Sequence, residues 1–184
     1  MSSTINGSTV AEGYTGTAKF FHWTVALCVL TLIPVAFLMN AVAPGTLQNV
    51  LYTVHRSLGA LVLVLMILRL GYRLMVGWPA PEPTITTVQR IASHAVHNLL
   101  YVTLIAQPVL GWYATSAYGA QPSFFGLFNL PMLAEKNEKL SEQLFMVHEL
   151  LGFAIAGLLF LHISGALYHH FIRRDGVLRR MMPS

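Results

Sequence analysis

Long apolar runs separated by short polar breaks dominate this chain. Four runs, roughly 18–41, 52–75, 94–117 and 144–171, reach the length of about 20 mostly apolar residues that a hydrocarbon core requires. They predict an all-α membrane protein, a four-helix transmembrane bundle forming one domain over residues 1–184. The breaks carry signatures of their own. "GWPAPEPT" (77–84) reads as a stiff, proline-rich turn between the second and third spans. From about 118 to 143 the chain holds "FFGLFNLPML" and then "AEKNEKLSEQ", an apolar patch for the membrane interface followed by a solvated lead-in to the fourth span. Pro34 and Pro108 fall inside runs and predict helix bends. The first run is expected to be a retained span. "AVAP" (41–44) imitates a signal-peptide cleavage site, but the run is longer than a usual signal core and no strongly basic segment precedes it.

Charge sets the orientation. With the N-terminus inside, Lys19, Arg69, Arg73, Arg90, Arg173, Arg174, Arg179 and Arg180 are cytoplasmic, while Arg56, Lys136 and Lys139 fall outside. That bias predicts both termini on the cytoplasmic side of the membrane, with Trp23, Trp78 and Trp112 near the interfaces. Composition agrees: 55% of residues are hydrophobic, 10% are charged, and mean hydropathy is +0.60. A soluble domain carries about 25% charged residues. The net charge of +4 does not point to nucleic acid, because the basic residues flank apolar runs. Lipid is the expected surrounding. The lone Cys28 excludes an internal disulfide and reads as a small core residue.

The histidines change the picture from anchor to chemistry, since an ionisable side chain at membrane depth is costly and normally has a partner. His22 opens the first span on the inside, and His55 opens the second on the outside. His148 enters with the fourth span, and His162, fourteen residues later, lies about 21 Å deeper and within about 40° of the same helix face. Two tiers result: His55 with His148 outside, His22 with His162 inside. Two planar cofactors stacked across the membrane, each gripped by two imidazoles, satisfy this arrangement, and haem iron accepts axial imidazole. Gly59, Gly152 and Gly165, each about one turn from a histidine, could leave room for a flat macrocycle or simply allow close helix packing. Structural zinc is a weaker fit, because its ligands cluster and there is no sulfur set.

Other groups are candidates for supporting roles. His94 and His97 are three apart and could hold a small ion, or hydrogen-bond at the interface or to a haem propionate. His169 lies within about 20° of the His162 face and is the candidate for proton handling or quinone contact. Arg69, at inner-tier depth, could pair with propionates or snorkel to the surface. Arg56, beside His55, could hold the outer propionates, attract an anion, or anchor the interface.

"FHW" (21–23), "VHRSLGALVLVLMILRLGYRL" (54–74), "ASHAVHNLLYVTLIAQPVLGW" (92–112), "VHELLGF" (147–153), "LHISGALYHHF" (161–171) and "GVLRRMMP" (176–183) together resemble the bacterial cytochrome b561 family almost end to end. The resemblance implies an inner-membrane four-helix bundle with two non-covalent b haems, ligated by His22, His55, His148 and His162. It also implies electron exchange with the quinone pool, and superoxide oxidation coupled to ubiquinone reduction is the expected reaction. The rival reading is an electron relay or membrane anchor, taking electrons from a redox protein such as a partner dehydrogenase with no substrate chemistry of its own. A haem-free metal-ion carrier is the remaining alternative.

Overall fold

The computed structural model describes residues 13–182, so the extreme termini, expected to be cytoplasmic, and Pro183 of the last matching motif lie outside the described residues. Four long helices follow one another: α1 (Gly16–Ala41), α2 (Thr46–Val76), α3 (Thr87–Tyr118) and α4 (Glu138–Leu167), the last running on into a π-helical turn (Tyr168–Arg173). Each starts earlier than the apolar run it carries, because polar residues add turns ahead of it. The Thr15 hydroxyl accepts the Ala18 N–H, Thr86 and Gln89 form a reciprocal capping box, and the Asn137 side chain accepts the Leu140 N–H. Gly119, left-handed at φ 90°, ends α3 by bonding back to the Ser116 and Thr115 carbonyls.

Among the described residues, α1, α2 and the Glu138–Arg173 segment are long and apolar enough to cross a membrane. The chain is therefore a multi-pass helical membrane protein. α3 is the longest helix at 32 residues, but Ser93, His94, His97, Asn98, Thr103 and Gln107 dilute its apolar character. The loop between α3 and α4 adds something that an all-helical expectation omits, a small antiparallel hairpin of β1 (Ser123–Phe124) and β2 (Phe128–Asn129). Its apolar patch is folded, with the Phe124 and Phe128 rings stacked at 5.2 Å. Ser57 of α2, fully buried, pins the hairpin by donating to the Ser123 carbonyl at 3.2 Å and accepting the Phe125 N–H at 2.8 Å. That second bond fixes Phe125 in its left-handed conformation, φ 51°, which a bulky residue rarely adopts.

Close packing joins α1 to α2, α2 to α3 and, most extensively, α3 to α4. The α3–α4 seam is built from small side chains, with Ala114, Thr115, Ser116 and Ala117 buried and Ser141 donating to the Ala114 carbonyl at 3.1 Å. An Ala114→Leu substitution is expected to overpack this seam at a cost of about 1–3 kcal/mol, read as a lower thermal unfolding midpoint in detergent. The main core lies at mid-depth: Val25, Cys28, Val29, Val62, Met66, Leu100, Leu104 and Ile155 form one cluster. Ile155 sits halfway along α4 between His148 and His162, so the core separates the two histidine levels.

The end of the bundle where α1 begins is tied together by the tail. Tyr14 N–H donates to the Arg180 carbonyl at 3.2 Å, Trp23 Nε1 to the Met181 carbonyl at 2.9 Å, Arg180 to the Ala80 carbonyl at 2.7 Å, and Arg173 to the Thr84 carbonyl at 2.7 Å. The start of α1, the α2–α3 turn and the tail therefore share one end. Several arginines read from sequence only as orientation charges are structural here. Arg73 is 7% exposed, with its guanidinium 4.2 Å from the Trp78 ring centre and 4.7 Å from that of Tyr14.

Candidate cofactor site

Two histidine pairs face each other across the interior. At one level His55 of α2 and His148 of α4 have ring centres 6.2 Å apart. At the other, His22 of α1 and His162 of α4 are 6.0 Å apart. α1–α4 and α2–α4 are not among the closely packed helix pairs, so both histidine pairs span the looser side of the bundle. An aromatic contact, Phe37 with Phe153 at 6.1 Å, joins α1 to α4 on that side.

A metal ion joining two imidazoles in line, at about 2.0 Å per bond, holds the ring centres about 6 Å apart. Both separations fit iron with two axial histidines. The hydrogen bonds at His148 fit as well. Its Nδ1 lies 3.1 Å from the Gln107 carbonyl, which can only accept, so Nδ1 carries the proton and Nε2 keeps its lone pair for a metal. Gln107 grips the same residue again, its Nε2 donating to the His148 carbonyl at 2.8 Å. Across from it, His55 Nδ1 is buried without a hydrogen-bond partner of good geometry, with the Leu32 carbonyl beside it.

Gly111 makes the His148 seat possible, since a Cβ there would fall 2.9 Å from His148 Cε1 and 3.2 Å from Nδ1. Sequence reasoning missed both Gly111 and Gln107. They lie on a third helix, and only tertiary packing brings them to the histidine. Of the three glycines it did select, Gly59 and Gly165 border open space, while a Cβ at Gly152 would approach Gln107 Nε2 at 3.4 Å. Gly152 therefore makes room for a side chain.

The His22–His162 level is more crowded than expected. His97 of α3 brings its ring centre within 5.0 Å of His162, closer than His22, while its Nδ1 engages the Ser93 hydroxyl at 3.2 Å. His94 does not share that position. It is exposed on the helix surface, so the pair read as a small-ion site does not converge. Arg69 turns inward, donating to His22 Nδ1 at 3.2 Å with its guanidinium 5.3 Å from the Tyr101 ring centre. Snorkelling does not describe it. At the His55–His148 end Arg56 is half-buried over the Tyr52 ring, and Lys136 is taken up by an exposed ion pair with Glu138 at 3.1 Å.

His169 lies in the π-helical turn, where its Nδ1 meets Asp175 Oδ2 at 2.6 Å. Burial pushes the Asp175 carboxyl up. The His169 hydrogen bond, the Val177 N–H and the charges of His169 and Arg173 outweigh that and hold it below the usual carboxylate range. Asp175 thus stabilises the fold above its unfolded titration range, and this contribution is lost as pH falls through the depressed folded value.

Imidazoles paired across the interior of a helical membrane protein fit a carrier of a redox cofactor. The chain belongs to the prokaryotic cytochrome b561 family, whose description matches residues 13–184. It is similar to cytochrome b561 homolog 2 of Escherichia coli K12, 28% identical over 173 residues, covering 93% of this chain and 92% of that protein. It is also similar to a Yersinia pestis protein named "Probable superoxide oxidase CybB", 30% identical over 162 residues, covering 88% and 91%. Cytochrome b561 homolog 1 of the same E. coli strain is 29% identical over 171 residues, covering 92% and 97%. Membership implies haem b binding and electron transfer in the membrane.

Proposed function

We propose that the chain carries electrons across a bacterial inner membrane through two b haems, one held by His55 and His148 and the other by His22 and His162. In this reading α3 also crosses the membrane, giving four spans, and both termini are cytoplasmic, in keeping with the positive-inside bias. The observation that carries it is the pair of matching imidazole separations, 6.0 and 6.2 Å, at two levels on one helix. Haem held by these two histidine pairs would supply a one-electron couple. His148 and His162 hold the two levels about 21 Å apart along α4, and the apolar core around Ile155 lies between them. His22 can ligate through Nε2 only if its proton sits on Nδ1, so Arg69 then donates elsewhere, and a propionate is the acceptor its depth suggests.

At the outer end Arg56 would draw in superoxide, and a haem held by His55 and His148 would supply the one-electron acceptor that lets it leave as dioxygen. At the inner end ubiquinone takes electrons near His169. The name of the Yersinia relative supports this direction. The test is superoxide-driven reduction of a water-soluble ubiquinone by the purified protein alone. Wild type is expected to catalyse it. Arg56→Glu is expected to lower the superoxide rate about tenfold at low salt, less at high salt. A requirement for a second protein would favour the relay reading instead.

A further inference from the structure

The π-helical turn ends α4 with a histidine–carboxylate pair fixed from several directions. The side chains of His169 and Asp175 are 13% and 6% exposed. Asp175 Oδ2 takes the His169 Nδ1–H at 2.6 Å and pairs with Arg173 Nε at 3.3 Å, while Oδ1 accepts the Val177 N–H at 3.1 Å. The His169 backbone is held too, its carbonyl accepting the N–H groups of Arg174 and Asp175. Arg174 adopts a left-handed φ of 55° to complete that cap. π-Helical insertions re-aim side chains and are frequent at functional sites.

This arrangement leaves one atom for chemistry. Asp175 is ionised and accepts only, so Nδ1 keeps its proton, and Nε2, bonded to no described residue, is the atom that can exchange one. Around the turn Leu167, Tyr168, Phe171 and Ile172 are exposed. They form an apolar rim suited to a molecule arriving through lipid, with a polar head that meets Nε2.

We propose that Asp175 is a positioning residue that sets His169 Nε2 as the proton donor to a carbonyl oxygen of a lipid-soluble quinone; this rests on the quinone reading above. For each electron passed to the quinone, His169 gives its Nε2 proton to a quinone oxygen, and cytoplasmic water returns one. The Nδ1 proton stays with Asp175. Two electrons, from two superoxide ions that leave as dioxygen, and two such protons convert quinone to quinol.

The test uses holoprotein with chemically reduced haems, mixed with ubiquinone-1 and followed optically as the haems re-oxidise. His169→Gln and Asp175→Asn are expected to slow the saturated rate about tenfold or more. The half-saturating quinone concentration should stay within about twofold, and Asp175→Glu should recover most of the rate. Nitrogen-15 NMR of labelled histidine gives a second readout. The His169 signals, identified by their loss in His169→Gln, should report a proton on Nδ1 in wild type and lose that preference in Asp175→Asn. Wild-type re-oxidation in His169→Gln would overturn the quinone reading at this end, and the inference with it. A slow His169→Gln beside a fast Asp175→Asn with an unchanged tautomer would overturn the positioning role alone. Haem loss in Asp175→Asn that Asp175→Glu does not reverse would assign Asp175 to folding and overturn the role as well.

Discussion

A Gly111→Val protein is expected to lose the outer haem and keep the inner one. Even a bare Cβ at this position would sit 2.9 Å from His148 Cε1, closer than real side chains approach, and valine adds two methyl groups. The imidazole cannot retreat freely, because its Nδ1 is bonded to the Gln107 carbonyl on the same helix that carries Gly111. Either that bond breaks or the ring turns, and both spoil its aim at a metal. Displacing a ligand's orienting partner weakens metal retention by about 10–100-fold. Haem per chain, from pyridine-haem quantification, should therefore fall by about half with helical content unchanged. His22 and His162 lie about 21 Å deeper and should keep a low-spin bis-imidazole signature. Full haem content in this variant would separate His148 from the cofactor.

The inner level allows a sharper comparison, since two histidines compete for the place opposite His162. His97 is nearer, at 5.0 Å between ring centres, but two imidazoles sharing an iron stand about 6 Å apart, the separation His22 shows at 6.0 Å. His22→Ala is accordingly expected to remove the inner haem, and with it quinone reduction driven from outside, down to background. His97→Ala should keep both haems and their bis-imidazole spectrum. Low-spin signals by electron paramagnetic resonance distinguish the two. An inner haem retained in His22→Ala but lost in His97→Ala would transfer the ligand role to α3.

Much of this was legible in the chain because it depends on period and depth. Apolar run lengths predicted the long helices, and fourteen residues of helix aligned His148 with His162 whatever the rest of the protein did. Groups whose positions depend on packing between helices were not legible. Gln107 and Gly111 meet His148 because small residues let α3 lie against α4. His97 reaches His162 across the same seam, whereas its helical neighbour His94 is turned outward. The Asp175 partnership with His169 depends on a π-helical turn and a left-handed Arg174, which no periodicity announces. The tail, whose arginines read in the sequence only as orientation charges, ties one end of the bundle for the same reason: its partners, the carbonyls of Ala80 and Thr84, lie about 90 residues or more earlier in the chain.

The central claim is that two levels of paired histidines each hold one haem. The most direct measurement is the haem-to-chain ratio of the purified wild-type protein, taken with a reductive titration of its b-type absorbance. Two haems per chain, both low-spin and titrating as two components, is the predicted result. A single haem, or a five-coordinate component that binds carbon monoxide readily, would contradict the two-level assignment.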